Sequence, residues 1–109
     1  IRARLAAPDR PDAIVVATSD FAALVVELAT ASGLRVPEDL MVAALTDSEH
    51  SRTSDPPITA MDLNHEGLAE HSVELMLARL SGANTPSEAH VIAPDLRVRR
   101  STLRAGFRS

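Results

Sequence analysis

Two histidines and a run of acidic residues in the middle of this sequence are of types that could bind a metal. A helical zinc site needs two histidines four residues apart on one face, whereas His65 and His71 lie six apart and diverge by about 240°. Asp62 and its neighbours imitate the start of a calcium loop, but the closing position is Val73, which has no oxygen ligand. We therefore expect neither metal nor cofactor.

A second polar cluster holds the residue types of a serine hydrolase. Residues 47–51 read Asp47-Ser48-Glu49-His50-Ser51. A nucleophilic serine needs a strained turn such as G-x-S-x-G, which the sequence lacks, and neighbours within one loop cannot all converge on one site. A phosphate-binding glycine loop is absent as well. We expect a polar connector at residues 46–55 and no catalytic residues.

Side chains at the ends of two predicted strands are the better candidates for a ligand site. Residues 13–17 and 40–45 are continuous apolar runs, which favour parallel strands covered on both faces. A helix over 20–32, apolar on most sides and ended by Gly33, joins them into a βαβ unit. Ligands of such sheets bind beyond the carboxyl ends of the strands. Thr18, Ser19, Thr46 and Asp47 follow those ends, although residues 18–20 can equally be helix caps.

The rest of the chain continues the α/β pattern. Residues 1–7 look like the last turns of a helix, so we expect the chain to be a fragment. A short strand is predicted at 58–61, and a helix at 65–80, capped by Asn64 and ended by Gly82. Final strands are predicted at 90–93 and 96–98, followed by a tail that frays from Ser101.

Composition limits the classes of function. The 109 residues are 45% hydrophobic and 24% charged, as in one globular domain or part of one. The net charge is −4, and the basic residues (all arginine) cluster only at the end of the chain, so a free-standing nucleic-acid binder is disfavoured. The sequence has no cysteine, which fits a reducing compartment, and no apolar run long enough to span a membrane.

Five segments, in one order over about ninety residues, resemble the lactose/galactose-repressor family of transcriptional regulators. They are Pro11-Asp12-Ala13-Ile14-Val15, the connector Gly33-Leu34-Arg35-Val36-Pro37-Glu38-Asp39-Leu40, Asp55-Pro56-Pro57-Ile58-Thr59, the helix at 64–80 with Gly82, and Pro94-Asp95-Leu96-Arg97-Val98-Arg99-Arg100-Ser101-Thr102. Each segment is weak by itself, and the ordered set is specific.

The resemblance implies the C-terminal portion of a type I periplasmic-binding-protein-like fold. Residues 1–60 would belong to the C-terminal subdomain, 61–87 to a crossover and a helix of the N-terminal subdomain, and 88–102 to the return, with a tail at 103–109. It also implies a cytoplasmic homodimer that senses a small molecule, which we expect to be a carbohydrate or a related metabolite. Operator DNA would be bound only through an N-terminal helix-turn-helix outside this chain, and no membrane would be involved.

The same resemblance assigns site residues. Effector contacts would come from Thr18, Ser19, Asp20, Leu45, Thr46 and Asp47, and dimer contacts from Ala23 and from the loop between Ser48 and Ser54. The sequence departs from the family where Ser19 and Thr46 replace aspartates, with Asp20 and Asp47 one place late. A different effector, or none, is therefore an open alternative. So are a periplasmic sugar-binding protein of the same fold and, less favoured, an α/β hydrolase.

Overall fold

A computed structural model of the chain describes residues 1–83 and 89–106, which form two compact units. The first unit comprises Ile1–Asp62 and the segment from Leu96 onward, and the second comprises Leu63–Asp95. The predicted crossover at 83–89 falls mostly on residues 84–88, and the end of the predicted tail on 107–109, all outside the described residues. The assignment of residues 61–87 to another subdomain stays a prediction.

The elements follow one another in an alternating order. They are α1 (Arg2–Ala6), β1 (Ala13–Val16), α2 (Ser19–Ala31), β2 (Met41–Ala44), α3 (Glu49–Thr53), β3 (Thr59–Asp62), α4 (His65–Leu80), β4 (Asp95–Arg97) and a 3-10 helix (Arg100–Thr102). The strands form a sheet in the order β1-β2-β3-β4 within the described part of the chain. β1 pairs in parallel with β2, and β2 in parallel with β3. The predicted α/β class is thus confirmed.

The core of the first unit lies between α2 and the sheet. Val25 and Ala29 of α2 pack toward Val42 of β2 and Ile58, which precedes β3, and all four are fully buried. Burial of one such valine or isoleucine side chain stabilises the fold by roughly 1.5–3 kcal/mol. Gly33 ends the helix with φ of +84°, a left-handed conformation that costs glycine little. This packing fixes both strand ends that lead into the candidate site.

The expectation that β1 is covered on both faces needs correction. β1 is not covered on both faces, since Ile14 and Val16 pack against the core while Val15 is 65% exposed. On α2, Phe21 and Leu24 are also exposed. None of the described residues covers the exposed faces of β1 and α2. The apolar runs therefore show that these faces are suited to burial, although they are exposed here. β2 is half-buried on alternate residues.

The polar connector predicted at 46–55 contains a helix. Ser48 caps α3 by accepting a hydrogen bond from the His50 amide (3.1 Å), and Ser51 closes a reciprocal capping box through the Ser48 amide (3.0 Å). A helix of five residues is too short to show an apolar period, so only its cap could have revealed it.

The end of the chain also differs from expectation. The described structure has no strand at 90–93, and the return strand is β4. The predicted fraying from Ser101 is wrong, because Ser101 is completely buried and its hydroxyl donates to the Val42 carbonyl (2.5 Å). The same oxygen accepts the amide of Thr59 (2.9 Å). The 3-10 helix is therefore fastened to β2 and β3.

The second unit is built on α4, whose predicted bounds are confirmed. Asn64 caps it by accepting a hydrogen bond from the Gly67 amide (3.1 Å). Its predicted apolar side chains, including Val73, Met76 and Leu77, are exposed, and no residue of the helix is buried. A search of the described residues for a helix able to cross a membrane finds none.

Candidate functional site

The carboxyl ends of β1 and β2 lie side by side, so the two loops that hold the predicted ligand residues are neighbours. The Leu45 amide donates to the Val16 carbonyl (2.9 Å), continuing the register beyond the strands. The Thr46 hydroxyl reaches the Ala17 carbonyl (3.4 Å). The two loops after the strands, which hold Thr18, Ser19, Asp20, Leu45, Thr46 and Asp47, therefore form one surface, which we call the strand-end site.

Asp20 is the exposed carboxylate of the strand-end site. The Thr18 hydroxyl hydrogen-bonds to Asp20, which is the main reason that the pKa of this carboxyl lies below its usual range. The Phe21 amide also donates to Asp20 (2.9 Å). Thr18 occupies the N-cap position of α2, yet its side chain makes no capping hydrogen bond. The Thr18 hydroxyl therefore does not cap α2, in contrast to the sequence-based alternative that residues 18–20 serve only as helix caps.

Leu45 and Thr46 give the other half of the strand-end site a mixed character. The Leu45 side chain is 55% exposed, and Thr46 is half-buried. An apolar side chain beside hydroxyl and carboxylate groups can contact carbon–hydrogen and hydroxyl groups of one ligand at the same time.

Ser19 contributes to the interior and not to the open surface. It is buried, and its hydroxyl oxygen lies 2.5 Å from that of Ser48. The contact joins the first turn of α2 to the cap of α3. Ser48, predicted at the dimer interface, is half-buried in this contact. Both assignments to sites remain predictions.

Asp47 is held by an ion pair that sequence reasoning missed. Both carboxylate oxygens accept from Arg99, Oδ1 from Nη1 (2.8 Å) and Oδ2 from Nη2 (2.9 Å), and Arg52 lies 3.8 Å from Oδ2. The Ser51 hydroxyl also donates to Asp47. The hydrogen bonds from Arg99 hold the pKa of the Asp47 carboxyl well below its usual range, although burial opposes this. The only sequence signal was the arginine cluster near the end of the chain.

The geometry around residues 47–51 does not assemble a hydrolase. The Asp47 carboxylate is ion-paired with Arg99, and Ser51 is fully buried and donates to that carboxylate. The aspartate of a serine hydrolase hydrogen-bonds to the catalytic histidine, whereas both oxygens of Asp47 accept from Arg99. These residues therefore act as a structural cluster in this chain.

The metal patterns of the sequence also resolve into structural roles. Asn64 caps α4, and Asp62 pairs with Arg97 (3.1 Å). The ring of His71 lies 4.8 Å from that of His90 between centroids. Across the described residues, no group of three or more metal-ligating side chains comes together.

A groove of about 590 Å³ runs between α2 and α3. Ala23 and Ser54, two of the predicted dimer contacts, both line this α2–α3 groove, and Ser48 does not. Glu27, His50 and Asp55 also line it. Ala23 is a lining residue with a small side chain, so we expect a larger side chain there to occupy part of the groove.

Relatives of this chain are regulators. Residues 1–102 match the model of the periplasmic binding protein-like domain. The chain is 34% identical to the HTH-type transcriptional regulator MalR of Streptomyces coelicolor over 84% of the chain and 27% of MalR. It is 32% identical to a lactose operon repressor of Rhizobium radiobacter over 90% of the chain and 85% of that protein. The chain thus spans about a quarter of one relative and most of the other.

Solved structures agree with the fold. A LacI family transcriptional regulator from Bifidobacterium animalis has a TM-score of 0.87 at 30% identity, covering 96% of this chain and 38% of that one. A complex of the regulator CelR with cellobiose has a TM-score of 0.78 at 31% identity, covering 86% and 28%. The lac repressor dimer bound to operator has a TM-score of 0.77 at 30% identity, covering 85% and 28%.

These matches confirm the expected type I periplasmic-binding-protein-like fold. They extend over the strands that form the strand-end site and over the segment that carries Arg99. The chain belongs to the lactose/galactose-repressor (LacI) family of transcriptional regulators and forms part of their effector-binding domain.

Proposed function

We propose that the strand-end site binds a neutral polyhydroxyl effector, a saccharide, and that this binding changes the affinity of the complete protein for operator DNA. The observation that carries the proposal is the convergence of Thr18, Asp20 and Thr46 at the carboxyl ends of two adjacent parallel strands. Ligands of open α/β sheets bind at this edge. The CelR–cellobiose complex, a structural relative, supports a sugar as the effector class.

The chemistry of the site favours a neutral sugar over an anion. The exposed Asp20 carboxylate can accept hydrogen bonds from sugar hydroxyls in addition to those from Thr18 and the Phe21 amide, and its charge repels a phosphate or a carboxylate. Arg99 and Arg52 lie near the strand-end site, but both are ion-paired with Asp47 and do not offer a free cation to an anionic ligand. Leu45 offers an apolar surface to the carbon–hydrogen face of a sugar ring.

Dimerisation through the α2–α3 groove is the second part of the proposal. The lac repressor relative is a dimer in its operator complex. Ala23 and Ser54 line this groove together with two carboxylates and an imidazole, and a second copy of the chain can pack against such a surface. Residues 61–87 are assigned by the same proposal to the other subdomain, and operator contacts to a helix-turn-helix outside this chain.

The effector proposal is tested by calorimetric titration of the complete natural protein with pentoses, hexoses, disaccharides and purine bases. Saturable binding of one saccharide is expected. Hydrogen bonds to a charged group are worth about 1.5–3 kcal/mol, so Asp20→Asn should weaken binding by roughly 10- to 100-fold.

The matched control for Asp20→Asn is Ser32→Ala at the opposite end of α2, where the side chain is exposed. It should leave the affinity unchanged. Binding of purines alone, or of no compound in the panel, contradicts the saccharide proposal. Equal affinities for the wild type and Asp20→Asn contradict the placement of the site.

A further inference from the structure

Arg99 makes a bidentate ion pair with a residue 52 positions earlier in the chain. Its guanidinium donates to both oxygens of Asp47, and Nη1 also donates to the Ile58 carbonyl (2.8 Å). The Asp47 side chain is 8% exposed and that of Arg99 is 18% exposed. The pair is thus largely removed from water, and the guanidinium is fixed at three points.

Asp47 lies in the loop after β2, and its own hydrogen bonds connect the Arg99 ion pair to that loop. Its amide donates to the Met61 carbonyl (2.8 Å), and its carboxylate accepts from the Ser51 hydroxyl. Asp47 therefore binds α3 on one side and β3 on the other. Thr46, whose hydroxyl belongs to the strand-end site, is the residue immediately before it.

The polar contacts continue from α3 to the first turn of α2. Ser51 bonds with the Ser48 backbone, and the Ser48 hydroxyl lies 2.5 Å from that of Ser19. Thr18 and Asp20 flank Ser19 in the sequence. A continuous network therefore leads from Arg99 through Asp47, Ser51 and Ser48 to Ser19, and it joins both loops of the strand-end site.

The backbone around Arg99 is itself anchored to the sheet. The Arg99 amide donates to the Thr59 hydroxyl (2.8 Å), and the Arg99 carbonyl accepts from it (3.0 Å). The guanidinium therefore projects from a fixed base. Removing it leaves the Asp47 carboxylate buried without its bidentate partner, and a buried unpaired charge is strongly unfavourable. The loop can relieve this by moving Asp47 toward water, which displaces Thr46 and Ser48 with it.

We infer that Arg99 is a positioning residue of the effector site, which holds the two loops of the strand-end site in one arrangement without touching the effector. This inference rests on the proposed function for its meaning. The effect of the Arg99 side chain on the structure of residues 45–54 can be measured without any effector.

The first test is site-resolved amide hydrogen exchange of this chain and its variants. Arg99→Ala should speed exchange at the Asp47 and Arg52 amides at least tenfold, while interior amides of α2 such as that of Val26 change by less than twofold. The matched control is Arg97→Ala, which removes a more exposed ion pair in the same segment and should leave the Asp47 amide unchanged.

Arg99→Lys keeps the charge but cannot donate to both carboxylate oxygens and to Ile58 at once. Its exchange at Asp47 should fall between those of the wild type and Arg99→Ala, and it serves as the decisive variant if Arg99→Ala does not fold. A uniform rise in exchange across the first unit, or equal effects of Arg97→Ala and Arg99→Ala, overturns the inference.

The second test uses the complete natural protein and the saccharide panel. Arg99→Lys should weaken the binding of the saccharide at least fivefold, with Arg97→Ala unchanged. If the wild type binds no saccharide, the proposed function fails, and the exchange measurements still decide whether Arg99 positions the loops. If the wild type binds and Arg99→Lys binds equally well, the positioning role fails while the proposed function stands.

Discussion

Replacing Ser101 by alanine tests how firmly the end of the chain belongs to the sheet. The Ser101 hydroxyl is completely buried, donates to the Val42 carbonyl (2.5 Å) and accepts the Thr59 amide (2.9 Å). Alanine removes the hydroxyl that serves both backbone groups and adds no volume, so the Val42 carbonyl and the Thr59 amide each lose this partner. A buried polar group that loses its partner costs about 1–3 kcal/mol.

The expected loss in the free energy of unfolding for Ser101→Ala is at least about 2 kcal/mol, since each of two buried backbone groups loses a partner at a cost of about 1 kcal/mol or more. For a domain of this size, with an unfolding entropy of about 2.1 cal/mol/K per residue, this lowers Tm by roughly 9 °C. Urea unfolding followed by far-ultraviolet circular dichroism measures the loss, and the slope m should stay unchanged.

Ser72→Ala is the control for Ser101→Ala. Ser72 is exposed on α4 and donates to the Leu68 carbonyl (2.7 Å), so its loss should change stability by less than about 0.5 kcal/mol. If the free energy of unfolding of Ser101→Ala lies within about 0.5 kcal/mol of the wild-type value, the end of the chain does not stabilise the sheet as described.

Three further predictions concern association, pH and metal. Ala23→Glu should lower the dimer fraction measured by light scattering at tens of micromolar, because it places a charge in the α2–α3 groove. The control Ser32→Glu should not lower it, and equal dimer fractions for the two variants would show that the groove is not the interface. The carboxyls of Asp47 and Asp39 both have lowered pKa values, and that of Asp39 is about 2 because Arg35 donates hydrogen bonds to it. Their contribution to the free energy of unfolding is therefore full above pH 4 and is lost as pH falls below it. A urea midpoint that stays constant from pH 5 to pH 2 contradicts this. Zinc, calcium or a chelator should leave Tm unchanged, and a rise well beyond about 4 °C reveals a metal site.

The elements that sequence analysis located are those whose signal is local. Apolar runs placed β1 and β2 within a residue or two of their observed bounds, and Gly33 marked the end of α2 because it adopts a positive φ there. Asn64 marked the start of α4 because its side chain caps the helix. In each case the residues that determine the element lie inside it or next to it.

The features that sequence analysis missed depend on contacts far along the chain. The pairing of Asp47 with Arg99 spans 52 residues, and nothing near either residue indicates the other. Ser101 was expected to fray because a polar, arginine-rich end has no local reason to be buried. Its burial depends on backbone groups of Val42 and Thr59, which only the folded sheet presents.

The candidate site was located by topology, and only partly resolved by residue type. Sequence reasoning placed six residues at the strand ends, and the structure separates them by use. Thr18, Asp20, Leu45 and Thr46 reach the open surface, whereas Ser19 and Asp47 are engaged inside the protein. Hydroxyl and carboxylate groups are suited to either use, so their types alone could not distinguish a ligand contact from an internal bond.

The structure of the complete natural protein with its bound saccharide tests the central claim most directly. We expect the sugar to lie at the carboxyl ends of β1 and β2, with its hydroxyls within hydrogen-bond distance of Asp20 and Thr46. Arg99 should remain paired with Asp47 and should not contact the sugar. A saccharide bound at the opposite edge of the sheet, or in the α2–α3 groove, would contradict this claim.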